Sequence, residues 1–282
     1  MTLTPTDFDT LQAWIGREET DEDTLDARHA ALMAATVDRA GGPPAHGEAL
    51  PPLWHWLYFL QGLPPGRLGR DGHPARGGFL PPVPLSNRMW AGGRVQFEAP
   101  LTVGETARKR STVQAVELKR GRSGDLVFVT VCHELWRADG TRALREEQDL
   151  VYREPPPPGS APPAPQPAPA AEHSRRWQPD ATELFRYSAL TFNGHRIHYD
   201  ADYCRAVEGY AGLVVHGPLI ATRLANLAQE LLGRPLRHFA YRGLRPTIVG
   251  QPVQLQARAE GEGLRLWSAL DDGGPTMQAE AH

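Results

Sequence analysis

The stretch VHGPLIATRLANL at residues 215–227, followed by PTIVG at residues 246–250, decides the fold of this 282-residue chain. Proline is tolerated in a helix only in its first turn, so Pro218 marks a helix start, and the residues after it are mainly apolar. Strand-like alternation follows at 252–260, at 264–270 and in a short tail after Pro275. The pattern predicts one long helix followed by an antiparallel meander.

The first half of the chain repeats this order. LPPLWHWLYFL at residues 50–60 is a second apolar segment with proline near its start, and PLTVG at residues 100–104 matches PTIVG. Strand-like runs follow at 106–117, 126–137 and 142–153. A curved sheet that wraps a helix buries the apolar faces of both, so we predict an α+β fold of two such units whose sheets pair edge to edge. Two unrelated α+β domains are the alternative.

A proline-rich segment separates the two units. Nine prolines lie between Pro155 and Pro169, and this composition favours an extended polyproline segment that cannot build a core. We therefore predict an amino-terminal domain at 1–154, a linker at 155–176 and a carboxy-terminal domain at 177–282.

The first unit also contains an insertion. Pro52 and Pro100 are 48 residues apart, whereas Pro218 and Pro246 are 28 apart, so the first half has 20 extra residues. We assign them to the Gly- and Pro-rich stretch at 64–84, whose composition excludes regular structure. Such a stretch can be a flap over a site or a purely structural loop.

The composition excludes several functions. The chain has 30 Lys and Arg against 33 Asp and Glu, a formal net charge of −3, so no basic excess favours nucleic acid. The amino-terminal residues lack the features of a secretory signal, and the apolar stretch at 53–60 is far shorter than the roughly 20 residues that span a bilayer. Cys132 and Cys204 match no metal or redox spacing. We expect a cytoplasmic protein that binds neither nucleic acid nor membrane.

The segment YSALTFNGHRIHYD at residues 187–200 is rich in histidine, the side chain best suited to proton transfer near neutral pH. Together with GLVVHG at residues 212–217, it resembles the motif of the MaoC-like, (R)-specific enoyl-thioester hydratases and dehydratases. That motif is Asp-x-Asn-Pro-x-His, followed by a Gly-containing stretch that opens the central helix of a hot-dog fold. The resemblance implies a double hot-dog fold for this chain.

The first half extends the resemblance. LPPLWHWLYFL, GGFLPPVP at residues 77–84 and RMWAGGR at residues 88–94 are similar to the amino-terminal half of mesaconyl-CoA hydratase-like proteins and of mitochondrial type 2 hydroxyacyl-thioester dehydratases. The resemblance implies a CoA thioester substrate, favours a branched or dicarboxylic C5 acyl group such as mesaconyl-CoA, and leaves acyl carrier protein open. It also implies a homodimer. Asp38 occupies the first half's counterpart of the histidine-rich loop, and because no nearby histidine follows it, we predict that the first half shapes the acyl pocket without catalysing.

The chain departs from the family motif at the residues that carry the chemistry. Asn193 replaces the acidic residue, His195 replaces asparagine and Arg196 replaces proline, whereas His198 keeps the histidine position. A carboxamide cannot take a proton from water, so we predict that His198 is the general acid/base. Asn193 is predicted to orient the water, and His195 to be a second base or an orienting group. A site that has lost its base, and rings that only cap backbone groups, are the alternatives.

The other candidate residues concern the substrate. Gly217 is the predicted oxyanion donor, because a helix start presents unpaired N–H groups and a missing side chain permits close approach. His216 beside it is assigned to substrate binding. Arg88, Trp90 and Arg94 are predicted to clamp a carboxylate or a CoA phosphate and to stack on adenine, although solvated arginines fit the sequence equally well.

The sequence therefore predicts a hydro-lyase that acts on 2-enoyl or 3-hydroxyacyl thioesters of CoA. A thioesterase on the same fold would need a carboxylate on the central helix, and residues 217–227 contain none. A non-enzymatic acyl-CoA-binding module is the third possibility. Because no nucleotide-binding or zinc motif is found, we expect no metal and no cofactor other than the CoA of the substrate.

Overall fold

The computed structural model describes residues 3–121, 124–154 and 168–282. Within these ranges ten strands form one sheet, and every neighbouring pair is antiparallel. The strands are Glu18–Thr24 (β1), Asn87–Phe97 (β2), Thr106–Gly121 (β3), Gly124–Arg137 (β4), Arg142–Arg153 (β5), His173–Trp177 (β6), His238–Gly243 (β7), Val253–Glu260 (β8), Gly263–Leu270 (β9) and Pro275–Ala281 (β10).

Among the described residues, one helix precedes β1 and the other helices lie between strands along the chain. The helices are Pro5–Gln12 (α1), Ala27–Thr36 (α2), Ala181–Leu190 (α3), Ala201–Tyr203 (α4) and Gly217–Leu232 (α5), with a π-helical turn at Cys204–Glu208 and 3₁₀ turns at Trp54–Leu57, Pro65–Arg67 and Arg196–His198. None of the helices in the described part of the chain is both long and apolar enough to cross a membrane.

The sheet consists of two halves with the same internal order. Its strands run β1-β3-β4-β5-β2 and then β7-β10-β9-β8-β6, so the halves meet where β2 pairs with β7. Three of the strands in each half are the meanders that the sequence predicts. The edge-to-edge pairing and the α+β double hot-dog class are confirmed, and the alternative of two unrelated domains is wrong.

The predicted boundary of the second unit is wrong by one strand. The linker was predicted to extend to residue 176, but His173–Trp177 forms β6 and pairs with β8. Only Trp177 of this edge strand is buried, so its sequence HSRRW shows no apolar alternation that would reveal a strand. Most of the predicted linker, residues 155–167, lies outside the described residues.

The second half is filled by α5, as its sequence predicts. Pro218 lies in the first turn, and Gly233 ends the helix in a left-handed conformation (φ 63°) that glycine adopts without strain. Leu219, Leu224 and Leu227 are buried against the concave face of the sheet. Burial of each such leucine stabilises the fold by roughly 1.5–3 kcal/mol.

The helix predicted at residues 50–60 of the first half is wrong. Only Trp54–Leu57 is helical there, as one 3₁₀ turn. Leu53 (φ 68°) and Phe59 (φ 59°) have left-handed backbones at the two ends of this turn, so the chain cannot continue as an α-helix. Trp54 and Leu57 are buried nonetheless, so the apolar character of the stretch reports burial rather than helix. The concave face of the first half is therefore not filled by a long helix.

Candidate active site

The loop after α3 carries the predicted catalytic residues. α3 ends at Leu190, and Phe192 then turns the chain through a left-handed conformation (φ 48°). The N–H of Asn193 donates to Ser188 O (2.8 Å), and Asn193 Oδ1 accepts from the N–H of His195 (3.0 Å). The carboxamide of Asn193 thus holds the loop together, in place of the titratable carboxylate of the family motif.

His198 is fixed in one tautomer. Its Nδ1 lies 2.7 Å from Val214 O, and because a carbonyl only accepts, Nδ1 carries the proton. Nε2 is therefore the nitrogen that can take a proton. The His198 ring stacks on His216 (centroids 3.6 Å apart, 20° between planes) and meets His195 edge to face (5.4 Å, 87°). The three imidazoles form one contiguous group.

Burial keeps these imidazoles neutral at pH 7. It lowers the pKa of His198 to about 4, and burial followed by the nearby His73 and His198 lowers the pKa of His195 to about 2. Burial, together with His198 and His195, also holds the pKa of His216 well below its ordinary value. A neutral imidazole with a free nitrogen is a base at physiological pH.

Gly217 begins α5 next to this group. The first N–H groups of a helix have no partner within the helix, and the positive end of the helix dipole lies there. A Cβ added at Gly217 would meet only Met277 Cε, at 4.0 Å, so there is open space beside the residue. This geometry agrees with an oxyanion donor, a role that stays a prediction.

A cavity of about 970 Å³ connects the two halves. Asn193, Gly194 and Pro218 line it from the second half. His195 and His198 lie in the same loop but are only 8% and 6% exposed, so they are buried beside the lining rather than spread along it. From the first half the cavity is lined by the following side chains, several of them on the concave faces of β4 and β5: His55, Trp56, Trp90, His133, Leu135, Glu146 and Gln148.

The inserted loop of the first half adds two residues that the sequence analysis missed. His73 lines the cavity, its Nδ1 lies 3.3 Å from Asp71 Oδ2, and its ring contacts that of His195 (centroids 4.2 Å apart). Except for one short turn and one isolated bridge, residues 64–84 contain no regular element, which confirms that part of the prediction. The signal available in the sequence was RDGHP, an Asp and a His within the predicted flap.

The floor of the cavity is a polar cluster around Glu146, which the sequence analysis also missed. Glu146 is 1% exposed and accepts from Trp56 Nε1 (2.9 Å) and Gln148 Nε2 (3.0 Å), with His55 Nε2 at 2.8 Å. Burial alone would raise the pKa of Glu146, but His55 outweighs it and lowers that pKa to about 2. An ionised carboxylate surrounded by donors therefore lies at the floor of the cavity.

The structure does not bring together Arg94 and Trp90, two residues of the predicted clamp, because they lie on opposite faces of the sheet. Trp90 lines the cavity, but Arg94 pairs in register with Glu147, whose neighbour Glu146 points into the cavity floor. Successive side chains of a strand project from opposite faces, so Arg94 lies on the outer face of the sheet. There it forms ion pairs with Glu147 and with Asp149 (3.1 Å).

Arg88 is on the concave face, in register with the buried Tyr152. It does not line the cavity, but its positive charge helps to hold the pKa of Asp71 below its ordinary value. Contact of Arg88 with a substrate stays a prediction.

His216, predicted to bind substrate, lies behind His198 and does not line the cavity. Its side chain is fully buried, and its Nε2 lies 2.8 Å from Ser188 Oγ. The His216 ring stacks on the His198 ring and so supports it. The assignment of His216 to substrate binding stays a prediction.

The chain is similar to proteins of known function over most of its length. A family model described as hydroxyacyl-thioester dehydratase type 2 matches residues 53–249. Mesaconyl-C(4)-CoA hydratase of Chloroflexus aurantiacus is 45% identical over 271 residues, which cover 95% of each chain. The mitochondrial hydroxyacyl-thioester dehydratase type 2 of Schizosaccharomyces pombe is 26% identical over 246 residues, which cover 78% of this chain and 80% of that protein.

Solved structures share the fold. A MaoC-like dehydratase from Phytophthora capsici has a TM-score of 0.71 at 16% identity, with 97% of each chain covered. A Mycobacterium tuberculosis protein described as a double hotdog has a TM-score of 0.61 at 16% identity, with 97% of this chain and 96% of that chain covered. These similarities support the double hot-dog architecture.

Proposed function

Because the chain belongs to the hydroxyacyl-thioester dehydratase type 2 family, we propose that it is a hydro-lyase that reversibly hydrates 2-enoyl thioesters of CoA to 3-hydroxyacyl thioesters. One observation carries the proposal. The neutral ring of His198, with Nδ1 fixed by Val214 O, stacks on the residue that directly precedes Gly217 at the start of α5. A base and an oxyanion donor are what addition of water to an enoyl thioester needs.

In the hydration direction, His198 Nε2 takes a proton from water while the water oxygen bonds to Cβ. The electrons of the double bond move onto the thioester oxygen, where the Gly217 N–H and the positive end of α5 stabilise the negative charge. A proton then joins Cα, so the net change is addition of one water molecule. Dehydration follows the same steps in reverse.

Asn193 and His195 have supporting roles in this proposal. Asn193 lines the cavity, and its Oδ1, which already accepts from His195 N, has a second lone pair that can hold the water. His195 lies between His198 and His73 and links the two rings. Neither residue replaces His198 as the first proton acceptor.

We propose a short, branched dicarboxylic acyl group, like the mesaconyl group in the name of the Chloroflexus relative. The cavity offers hydrogen-bond partners to a polar acyl group, because His55, His133 and Gln148 line it. Lys109 lines the same cavity, with its Nζ 3.6 Å from Asp21 Oδ2, and we propose that its positive charge also attracts a substrate carboxylate. Trp90 on the wall would pack against the apolar part of the acyl unit.

The structure does not favour a thioesterase. The acidic residue of α5 is Glu230, which is about half exposed near the carboxy end of the helix and pairs with Arg175 (2.7 Å). It is remote in sequence from Gly217, so it cannot face a thioester bound at the helix start. A non-enzymatic acyl-CoA-binding module would need no neutral base beside the cavity. The neutral imidazole of His198 is such a base, so it favours an enzyme.

The test is an assay with crotonyl-CoA and mesaconyl-CoA that follows enoyl-thioester absorbance and free thiol together. We expect enoyl loss without thiol release, and a rate about 100-fold or more lower for His198→Gln, since general acid/base catalysis contributes that much. His173→Gln, at an exposed position of the edge strand β6, is the matched control and should keep the wild-type rate. Thiol release would support a thioesterase, and binding without turnover would support the module.

Three further expectations accompany the proposal. The reaction should need no metal and no cofactor beyond the CoA of the substrate, and the protein should form a homodimer in the cytoplasm. Cys132 and Cys204 are both free and buried, which is compatible with a reducing compartment. The same assay with an acyl carrier protein thioester distinguishes the two carriers.

A further inference from the structure

We propose that His73, held by Asp71 on the inserted loop of the first half, is a second catalytic acid/base residue that exchanges the proton at Cα. The inference rests on the hydration proposed above and completes it. Hydration moves two protons, one away from water and one to Cα, and the loop after α3 lacks the carboxylate with which its family motif would share this work.

The inserted loop is packed directly against the loop of the second half. The N–H of Arg196 donates to Asp71 O (2.9 Å). Gly72 touches Gly194, and a Cβ at Gly72 would collide with the Gly194 carbonyl oxygen. Only two glycines allow the backbones to come so close, and this contact brings the His73 ring against that of His195.

Asp71 fixes His73 in the geometry of a base. Its Oδ1 accepts from the N–H of His73 (3.1 Å) and its Oδ2 lies 3.3 Å from Nδ1. Burial alone would raise the pKa of Asp71, but the hydrogen bond and charge of His73 and the charge of Arg88 outweigh it and keep the carboxylate ionised. Nδ1 therefore carries the proton, and Nε2 of a ring that lines the cavity is left to exchange one.

The proton balance is closed within the site. His198 takes a proton from water as the oxygen bonds to Cβ, and the double-bond electrons pass to the thioester oxygen. We propose that a proton is then passed to His73 on the far side of His195, whose ring lies between the other two (centroids 5.4 and 4.2 Å away), and that Asp71 stabilises the resulting imidazolium. His73 then gives the proton to Cα as the enolate electrons return, so no proton is consumed.

The same residues could be read as a metal site. Ligand atoms of Asp71, His73 and His195 all lie within 4.8 Å of one another. Arg88 argues against a cation there, because its positive charge acts on all three residues. An imidazole pair with one carboxylate and a nearby guanidinium suits proton exchange better than a divalent ion.

The test measures kcat, KM and the pH profile of crotonyl-CoA hydration for His73→Gln and Asp71→Asn. We expect His73→Gln to lower kcat about 100-fold or more with little change in KM. Asp71→Asn should lower kcat about tenfold and move the acidic limb of kcat/KM to lower pH, because removal of a negative charge lowers the pKa of His73. The charged and titratable groups that face His73 are Asp71, Arg76, Arg88, His195 and His198; with Asp71 neutralised, the charges of Arg76 and Arg88 act in the same downward direction on the pKa of His73.

Asp200→Asn is the matched control. Asp200 pairs with Arg196 in the same segment (2.7 Å), and its exchange should leave both the rate and the pH profile at wild type. If His73→Gln fails to fold, the proposal is judged by Asp71→Asn: a shift of the acidic limb of kcat/KM to lower pH supports it, and no shift or a shift to higher pH overturns it. If the wild-type protein does not hydrate crotonyl-CoA, both the proposed function and this role of His73 are wrong. If the wild type is active and His73→Gln has the same kcat, only the role of His73 is wrong. Loss of wild-type activity on chelation, with recovery on adding Zn²⁺, would assign the cluster to a metal and also overturn the proposal.

Discussion

The two halves of the molecule share a strand order but differ in what lies on the concave face. In the second half the 16-residue α5 fills that face, whereas in the first half one 3₁₀ turn and the inserted loop stand in its place. The filled half provides a helix start and rigid support for imidazole. The half without the helix leaves room for an acyl group and contributes His73. The absence of a long central helix from the first half of the described chain thus leaves space for the cavity.

The loops that follow α2 and α3 differ in their side chains more than in their backbone. α2 and α3 are each capped by an aspartate, Asp26 and Asp180, whose side chain accepts from the backbone three residues later. After each helix one residue turns left-handed at nearly the same angle, Asp38 (φ 49°) and Phe192 (φ 48°). The histidines that follow Phe192 have no counterpart after Asp38 in the sequence. The catalytic loop is therefore an ordinary loop of this fold with imidazoles added.

The largest effect should come from a matched pair of core leucines on the central strands of the two halves. Leu266 in β9 packs under α5, and Leu135 in β4 borders the cavity, and both are fully buried. We expect Leu266→Ala to cost about 3–5 kcal/mol of unfolding free energy and Leu135→Ala about 2–3, because a residue beside an existing cavity loses fewer contacts. Urea unfolding of both variants measures the difference. Equal costs would mean that the first half is as well filled as the second.

A smaller effect should follow removal of the proposed oxyanion donor from the filled half. Gly217→Pro removes one N–H at the first helical position, where proline is tolerated. We expect kcat to fall by about 100–1,000-fold, equivalent to roughly 2.7–4 kcal/mol. Gly217→Ala keeps the N–H and adds only a methyl group near Met277 Cε. We therefore expect kcat to fall by far less in Gly217→Ala than in Gly217→Pro. Equal losses in the two variants would place the donor elsewhere.

The same comparison shows which features the sequence could predict. Pro218 and the alternation after each PxxxG motif gave α5 and six strands, because a proline in the first turn and a period of two have direct physical meaning. The stretch at 50–60 misled because burial, not helix, explains its apolar residues. β6 and the cavity floor at Glu146 were missed because polar residues signal nothing until partners distant in sequence are known. Asp71 and His73 meet the loop after α3 through tertiary contacts, namely Gly72 with Gly194, the Arg196 N–H with Asp71 O, and the His73 ring with that of His195.

The smallest effect tests whether both halves bury a neutral imidazole equally well. Burial lowers the pKa of His133 in the first half and of His198 in the second to about 4. The unfolded chain, with a histidine pKa near 6.5, binds protons that the folded chain does not, so stability is complete above about pH 6.5 and falls as the pH drops toward 4. We expect each histidine to contribute on the order of 1–2 kcal/mol to this loss between pH 7 and 4.5.

The measurement is the slope of unfolding free energy against pH for wild type, His133→Gln and His198→Gln. The slope isolates titration from the contacts that each substitution also removes, such as that of His133 Nδ1 with Ser111 Oγ (2.8 Å). Glu146 affects the pH dependence only below about pH 4.5. Its pKa is about 2 in the folded chain and about 4.5 in the unfolded chain, so the stability that its ionisation contributes is lost between these two values. We therefore expect the slope of unfolding free energy against pH to be reduced by a similar amount, relative to wild type, in His133→Gln and His198→Gln. If only His198→Gln reduced it, the cavity of the first half would admit enough water to solvate a charged His133, and the two halves would differ in hydration as well as in helix content.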